Sequence, residues 1–164
     1  MIFLRSDHIQ SLEVAMLKKL LQTNDDTAML VLRLFLGVVF FPHGMQKVFG
    51  WFGGPGFIVS MDMFTSKAGF PAALAFLAIM AESLGSVALL AGFFTRIGAL
   101  GIGVNMVVCA LGNHVKNGFF MNWMGTQKGE GFEYHLLVVA ISAALIISGG
   151  GKWSLDGLID RQLK

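Results

Sequence analysis

The stretch FPAALAFLAIMAESLGSVALLAGFF, residues 70–94, carries a single ionisable side chain, Glu82. A bilayer core about 30 Å thick needs roughly 20 residues of helix to cross it, and this run is long enough. A helix on the surface of a soluble protein keeps one polar face, whereas this one is apolar nearly all round. Three more runs flank it. Residues 29–50 carry Arg33 near the start and Lys47 near the end, residues 97–116 are glycine-rich with Asn105 inside, and residues 133–150 follow. The expected fold is an all-α, integral membrane four-helix bundle running up-down-up-down. Composition agrees: 55% of the 164 residues are hydrophobic and 13% charged, against about 25% charged in soluble domains. A mean hydropathy of +0.69 leaves too little polar surface for a small water-facing fold.

Ahead of the first span, residues 1–27 form a separate amphipathic segment and linker, leaving 28–164 as the four-span domain. Ile9, Leu12, Met16 and Leu20 make one stripe, widened by Leu17 and Leu21, opposite Gln10, Glu13 and Lys18. That pattern suits a helix lying on the membrane surface, although a partner-docking helix would look the same. Charges are scattered through the segment and no apolar run ends in a small-residue cleavage site, so it does not read as a cleavable signal. Arg5, Lys18, Lys19, Arg33, Arg96, Lys152, Arg161 and Lys164 fall on one side of the expected spans, and Lys47, Lys67, Lys116 and Lys128 on the other. The positive-inside rule then puts both termini in the cytoplasm. Trp51, Trp123 and Trp153 fall near the expected interfaces, where indoles prefer to sit.

Several chemistries are excluded. The net charge is +2 and no basic stretch is interleaved with aromatics, so nucleic acid is not an expected partner. Cys109 is the only cysteine, which rules out an intrachain disulfide, a CxxC pair and a cysteine-built metal cage. Gly53-Gly54-Pro55-Gly56 is a turn, because no Lys-Ser/Thr and helix follow it. His43, His114 and His135 sit on three helices without regular ligand spacing, so no metal site is expected.

The densest motif is Arg33-Leu-Phe-Leu-Gly37-Val-Val-Phe40-Phe-Pro-His43-Gly44-Met-Gln46-Lys47-Val-Phe49-Gly50. Glu82, the turn Gly92-Phe-Phe-Thr-Arg96 and Trp153-Ser154-Leu155-Asp156 follow in order. In this order and spacing the chain, from about Leu30 to Asp160, resembles the DoxX family of bacterial and archaeal membrane proteins. The resemblance implies a location in the cytoplasmic (inner) membrane. It also implies kinship with small subunits of thiosulfate:quinone oxidoreductase or quinol oxidase systems, and with proteins linked to thiol redox balance and quinone stress. It supplies a class and no catalytic residues.

Residue by residue, an ionisable group inside a bilayer is a functional candidate because burying it costs several kcal/mol unless it is paired or wetted. At about 1.5 Å of rise per residue, Gln46, Lys47, His114, Glu133 and His135 lie within roughly 10 Å of the outer boundary. His43 lies about 10 Å in, and Glu82 near mid-membrane. His43, Gln46 and Lys47 stand at i, i+3 and i+4 and so share a face. Together these residues suggest an outward-opening polar pocket: Glu82 and His43 as proton-handling groups, with Gln46, Lys47, His114, Glu133 and His135 contacting substrate. The bland readings are a snorkelling Lys47, a His43 satisfied by a carbonyl, and a Glu82 paired with Arg33, His43 or Lys47 to fix helix register. By depth His43 is closer to level with Glu82 than Arg33 is. Arg33, Asn105 and Asp156 read as structural polar groups, and Cys109 as a packing residue.

Two classes of function remain open on the sequence. One is a membrane subunit of a quinone- or thiol/sulfur-linked redox complex, working beside partner subunits that carry the redox centre. It would have no covalently bound cofactor of its own, and a quinone or quinol would be its candidate ligand. The other is a structural or assembly subunit without chemistry. Lipid is the certain neighbour in either case, and a homo-oligomer is one assembly open to the chain. A small transporter would call for an oligomer or an inverted repeat, and no internal symmetry is visible.

Overall fold

A computed structural model describes residues 2–163, with side chains from residue 12 onward. Among these residues all regular structure is helical: α1 (Ile2–Leu21), α2 (Thr27–Phe49), α3 (Gly56–Asp62), α4 (Ala72–Ala91), α5 (Thr95–Cys109), α6 (Glu133–Ser148) and α7 (Leu155–Gln162). The helix ends follow from local chemistry. The Asp26 carboxylate accepts the Ala28 N–H at 2.7 Å and starts α2, satisfying one of the amides every helix start leaves orphaned. Gly50 and Gly92 stop α2 and α4 in the left-handed conformation, φ 72° and 66°, which glycine adopts without a Cβ penalty. Helix α4 begins only after Pro71, which has no N–H to offer.

Among the described residues three helices are long and apolar enough to cross a bilayer: α2, α4 and the continuous run Thr95–Asn117 that extends α5. The fourth expected span is shorter. Helix α6 has 16 residues, below the roughly 20 that a crossing takes, because Gly149 (φ 82°) breaks it. The expected outer loop at 51–69 is largely helical, with α3 and a π-helical turn, Met63–Lys67, running back along α2 and α4.

Helices α2, α4, α5 and α6 pack in a ring, each against two neighbours. Adjacent members run antiparallel. Gly37 faces Leu90 and Gly44 faces Ser83 across α2 and α4, while Gly85 faces Gly98 across α4 and α5. A Cβ on Gly44 would lie 2.6 Å from the Ser83 Cα, so glycine is required for that approach; small residues let membrane helices pack this closely. The core is apolar at its centre: Leu36, Phe40, Leu89, Ala99, Ile102, Met106, Val138 and Leu145. Around it the usual polarity is inverted. Arg33, Glu82, Ser86 and Ser142 are buried, while Phe35, Leu84, Leu137 and Ile147 stand exposed. So broad an apolar exterior fits lipid as the solvent.

One end of the ring is tied by a polar girdle. Arg33 is 1% exposed and donates to the carbonyls of Leu89 (2.6 Å), Leu90 (2.9 Å), Gly150 (2.9 Å) and Trp153 (3.5 Å). Asp156, also buried, accepts the N–H groups of Phe94 (2.7 Å) and Thr95 (2.9 Å), so the cap of α5 comes from α7. Arg96 donates to the Ile146 and Ile147 carbonyls at the end of α6 and to Gln22 O. Helix α1 packs against α7 and α5, with Leu21 buried and Leu12, Met16 and Leu17 exposed. The Ile9 and Gln10 side chains of the expected amphipathic stripe lie outside the described residues.

Candidate functional site

Where α2, α4 and α5 adjoin, three helices meet on one carboxylate. Glu82 of α4 is 6% exposed. Its Oε2 lies 2.5 Å from Lys47 Nζ of α2, and its Oε1 accepts from Asn105 Nδ2 of α5 at 2.8 Å. Asn105 also reaches the Ala78 carbonyl at 3.5 Å. The Lys47 side chain keeps 23% of its surface exposed. Its ammonium lies 3.5 Å from the His43 carbonyl, so the lysine stem runs back along its own helix to reach the carboxylate.

His43, Gln46 and Lys47 share a side of the unbroken helix α2, but their side chains do not converge on one pocket. The buried stripe of α2 runs through Arg33, Leu36, Gly37, Phe40 and Gly44, because Gly44 must press on the Ser83 backbone. His43, one residue earlier and about 100° round the helix, is therefore exposed. Its ring leans on Phe40, with centroids 6.3 Å apart. Gln46 donates to the Phe52 carbonyl at 3.3 Å and braces the turn after α2. Arg33 is spent on carbonyls at the girdle. Of the three bases that could pair with Glu82, only Lys47 does.

A groove of about 750 Å³ runs between α4 and α5 and passes this cluster near its mid-length. Its walls are apolar and mostly small or aliphatic, including Ala81, Gly85, Ala88, Gly98, Gly101 and Val104. Lys47, Glu82, Asn105, Cys109 and Asn113 supply its polar surface. Leu77, Leu84, Leu100 and Val104 line it and are exposed, so it opens sideways toward lipid rather than along the bundle axis.

The remaining expected contact residues gather nearby, where α5 ends and α6 begins. The His114 and His135 rings lie with centroids 4.2 Å apart. His114 Nδ1 is 2.9 Å from the Glu130 carbonyl. Glu133 accepts the Met121 N–H at 2.9 Å and Glu130 the Asn122 N–H at 2.6 Å, so both carboxylates fold the loop at 118–132 back over the helix ends. Cys109 joins the two histidines, one potential ligand atom from each of the three lying within 4.8 Å of the others. This grouping was not visible in the spacing. Five residues of α-helix turn through about 500° and leave positions 109 and 114 well apart. The helix instead widens into a π-helical turn at Ala110–His114, whose i→i+5 geometry brings the two toward one face.

Residues 28–115, which hold the girdle arginine, the Lys47–Glu82–Asn105 cluster and the groove, match the DoxX family. The chain belongs to the DoxX family. It is also 30% identical, over 116 residues, to a Bacillus subtilis (strain 168) protein named "Putative oxidoreductase CatD", covering 71% of this chain and 76% of the relative. No solved structure matches the chain. Family membership and three bilayer-length apolar helices make it a membrane protein in contact with lipid. The match ends shortly after His114, so α6, the loop at 118–132 and α7 lie beyond it.

Proposed function

We propose that this DoxX-family protein is a membrane subunit of a redox complex. Its α4–α5 groove holds a quinone or a similarly amphipathic substrate, with the polar head against Lys47, Glu82 and Asn105. The observation that carries the reading is the groove itself: a long apolar trough, open to lipid, with an ammonium, a carboxylate and an amide set together near its mid-length. Ligand sites of this kind pair extensive apolar lining with a few fixed polar groups. An isoprenoid tail suits the small-residue walls, and a lateral opening suits a ligand that arrives from the bilayer.

Reduction of a quinone to a quinol takes two electrons and two protons. The chain presents neither an Fe–S ligand set nor a nucleotide fingerprint; in this reading the electrons come from a thiol or sulfur donor oxidised on a partner subunit. Lys47 supplies the positive charge that favours the reduced, oxygen-anionic head, and Glu82 holds or releases the proton beside it. The B. subtilis relative's name supports a redox role. In this reading α6 is a fourth crossing over which the bilayer thins, both termini are cytoplasmic, and the membrane is the inner one.

A second reading has its own support. Both Glu82 oxygens are already occupied, as they would be if the cluster only locked three helices in register. Equilibrium binding to the purified full chain in detergent separates the two. An isoprenoid quinone should bind, a tail-less analogue should bind at least about tenfold more weakly (about 1.4 kcal/mol), and Val104→Trp should abolish tight binding by filling the groove from an exposed position. Equal binding by Val104→Trp and wild type would remove the groove from the account.

A further inference from the structure

We infer that Cys109, His114 and His135 form a binding site for one thiophilic transition-metal ion, Zn²⁺ or Cu⁺, at the junction of α5 and α6. One ligand atom from each residue lies within 4.8 Å of the other two. In a tetrahedral site with metal–nitrogen distances of about 2.0–2.1 Å and metal–sulfur of about 2.3 Å, ligand atoms stand roughly 3.3–3.6 Å apart. Small side-chain rotations close the remaining gap.

Two observations point to a ligand independently of that proximity. His135 is 6% exposed, yet its Nδ1 is buried without a hydrogen-bond partner, and an orphaned buried polar atom is destabilising. A bound cation relieves it. His114 Nδ1 lies 2.9 Å from the Glu130 carbonyl, and as Nδ1–H it donates there, leaving the Nε2 lone pair free. Metal-binding histidines are held in this way, with the second nitrogen bonded to a carbonyl or carboxylate that fixes tautomer and orientation. The π-helical turn that brings Cys109 and His114 together is a distortion found frequently at functional sites.

The donor set selects the metal. One thiolate and two imidazoles are borderline to soft ligands, suited to Zn²⁺ or copper and poorly suited to Mg²⁺ or Ca²⁺. The nearby carboxylates of Glu130 and Glu133 are engaged by the Asn122 and Met121 N–H groups. On binding, the Cys109 thiol gives its proton to solvent as the sulfur–metal bond forms. Three protein ligands leave one position open, which in zinc sites is the mark of a reactive rather than a purely structural centre. Cys109 also lines the groove, so the metal would border it one turn of α5 beyond Asn105. The site does not depend on a quinone occupying that groove.

The test uses the purified full chain in detergent, stripped with chelator and titrated with Co²⁺ as a spectroscopic probe. One equivalent should bind with a thiolate-to-cobalt charge-transfer band and the intense visible bands of tetrahedral cobalt. Cys109→Ser should lose the charge-transfer band, and His135→Ala should bind more weakly by more than the 10–100-fold that loss of an outer-shell partner costs. His43→Ala, a change at an exposed histidine outside the site, should leave the spectrum unchanged. Displacement of cobalt by Zn²⁺, or by Cu⁺ delivered from a chromogenic chelator, supports the site and identifies its preferred occupant. A wild-type spectrum without the sulfur band overturns the inference. So does a band that survives in Cys109→Ser with helical content and thermal transition intact, or cobalt that neither ion displaces.

Discussion

Glu82 Oε2 on α4 lies 2.5 Å from Lys47 Nζ on α2, while the opposite oxygen holds Asn105 of α5 at 2.8 Å. One carboxylate thereby joins three helices, and its partners are unequal: the glutamate is nearly enclosed, whereas the lysine keeps contact with its surroundings. Breaking a fully buried ion pair costs about 3–5 kcal/mol, much of it the penalty of the charge left behind. Glu82→Gln leaves a lysine that can turn outward and should cost less than that, with near-normal assembly and loss of quinone turnover in the native complex. Lys47→Met strands an enclosed carboxylate and should be the more destabilising change. Thermal unfolding in detergent, alongside turnover, checks the order. Joint loss of assembly and activity in Glu82→Gln would favour the register-lock reading.

The girdle is expected to be structural. Arg33 reaches four carbonyls on two separate segments, the end of α4 and the α6–α7 connection, through a planar fork, which a lysine cannot reproduce. Arg33→Lys and Arg33→Met should both lower the amount of folded protein in the membrane. Arg33→Met should leave quinone affinity of the surviving fraction within about twofold, a difference of about 0.4 kcal/mol. Quantitative membrane blotting together with binding on the purified remnant measures both.

Removing the α7 cap should act at a distance in sequence. Asp156→Ala deprives the Phe94 and Thr95 N–H groups of their acceptor, and loss of a helix cap costs about 0.5–2 kcal/mol. The change should fray the α4–α5 turn and raise amide hydrogen exchange there, while Asp156→Asn, which can still accept one bond, should lie between. Unchanged exchange at residues 93–96 in Asp156→Ala would contradict the assignment.

Gly44→Ala places a methyl 2.6 Å from the Ser83 Cα, against backbone that cannot rotate aside. Overpacking of this kind costs about 1–3 kcal/mol. Here it should also push α2 off α4 and lengthen the Lys47–Glu82 contact. Thermal unfolding should show a loss in this range, and an unperturbed transition would mean the two helices are less closely apposed than described.

The fold was legible because the governing solvent is lipid. All-round apolarity marks a spanning helix without any need to know its neighbours, and the run containing Glu82 shows it. The expected span at 133–150 runs two residues past the end of α6, because the hydropathy of Gly149 and Gly150 does not register the break at Gly149. The site was legible in inventory and not in arrangement. Glu82, Lys47 and Asn105 were recognisable as costly residues at membrane depth, but their pairing depends on the rotation of α2, which the Gly44–Ser83 contact fixes. Hence His43, apparently well placed by depth, faces outward. Cys109 and His114 meet only because the helix widens at Ala110–His114, and a periodicity built on 3.6 residues per turn carries no trace of that.

The groove is tested most directly by photolabelling. Native membranes would be incubated with a photoreactive isoprenoid quinone and irradiated, and the adducts mapped by mass spectrometry. Labels should concentrate on α4 and α5, between Leu74 and Asn113, be displaced by excess unlabelled quinone, and disappear in Val104→Trp. Labels spread evenly over the exposed apolar face of all the helices, or unchanged in Val104→Trp, would contradict a quinone seated against Lys47, Glu82 and Asn105.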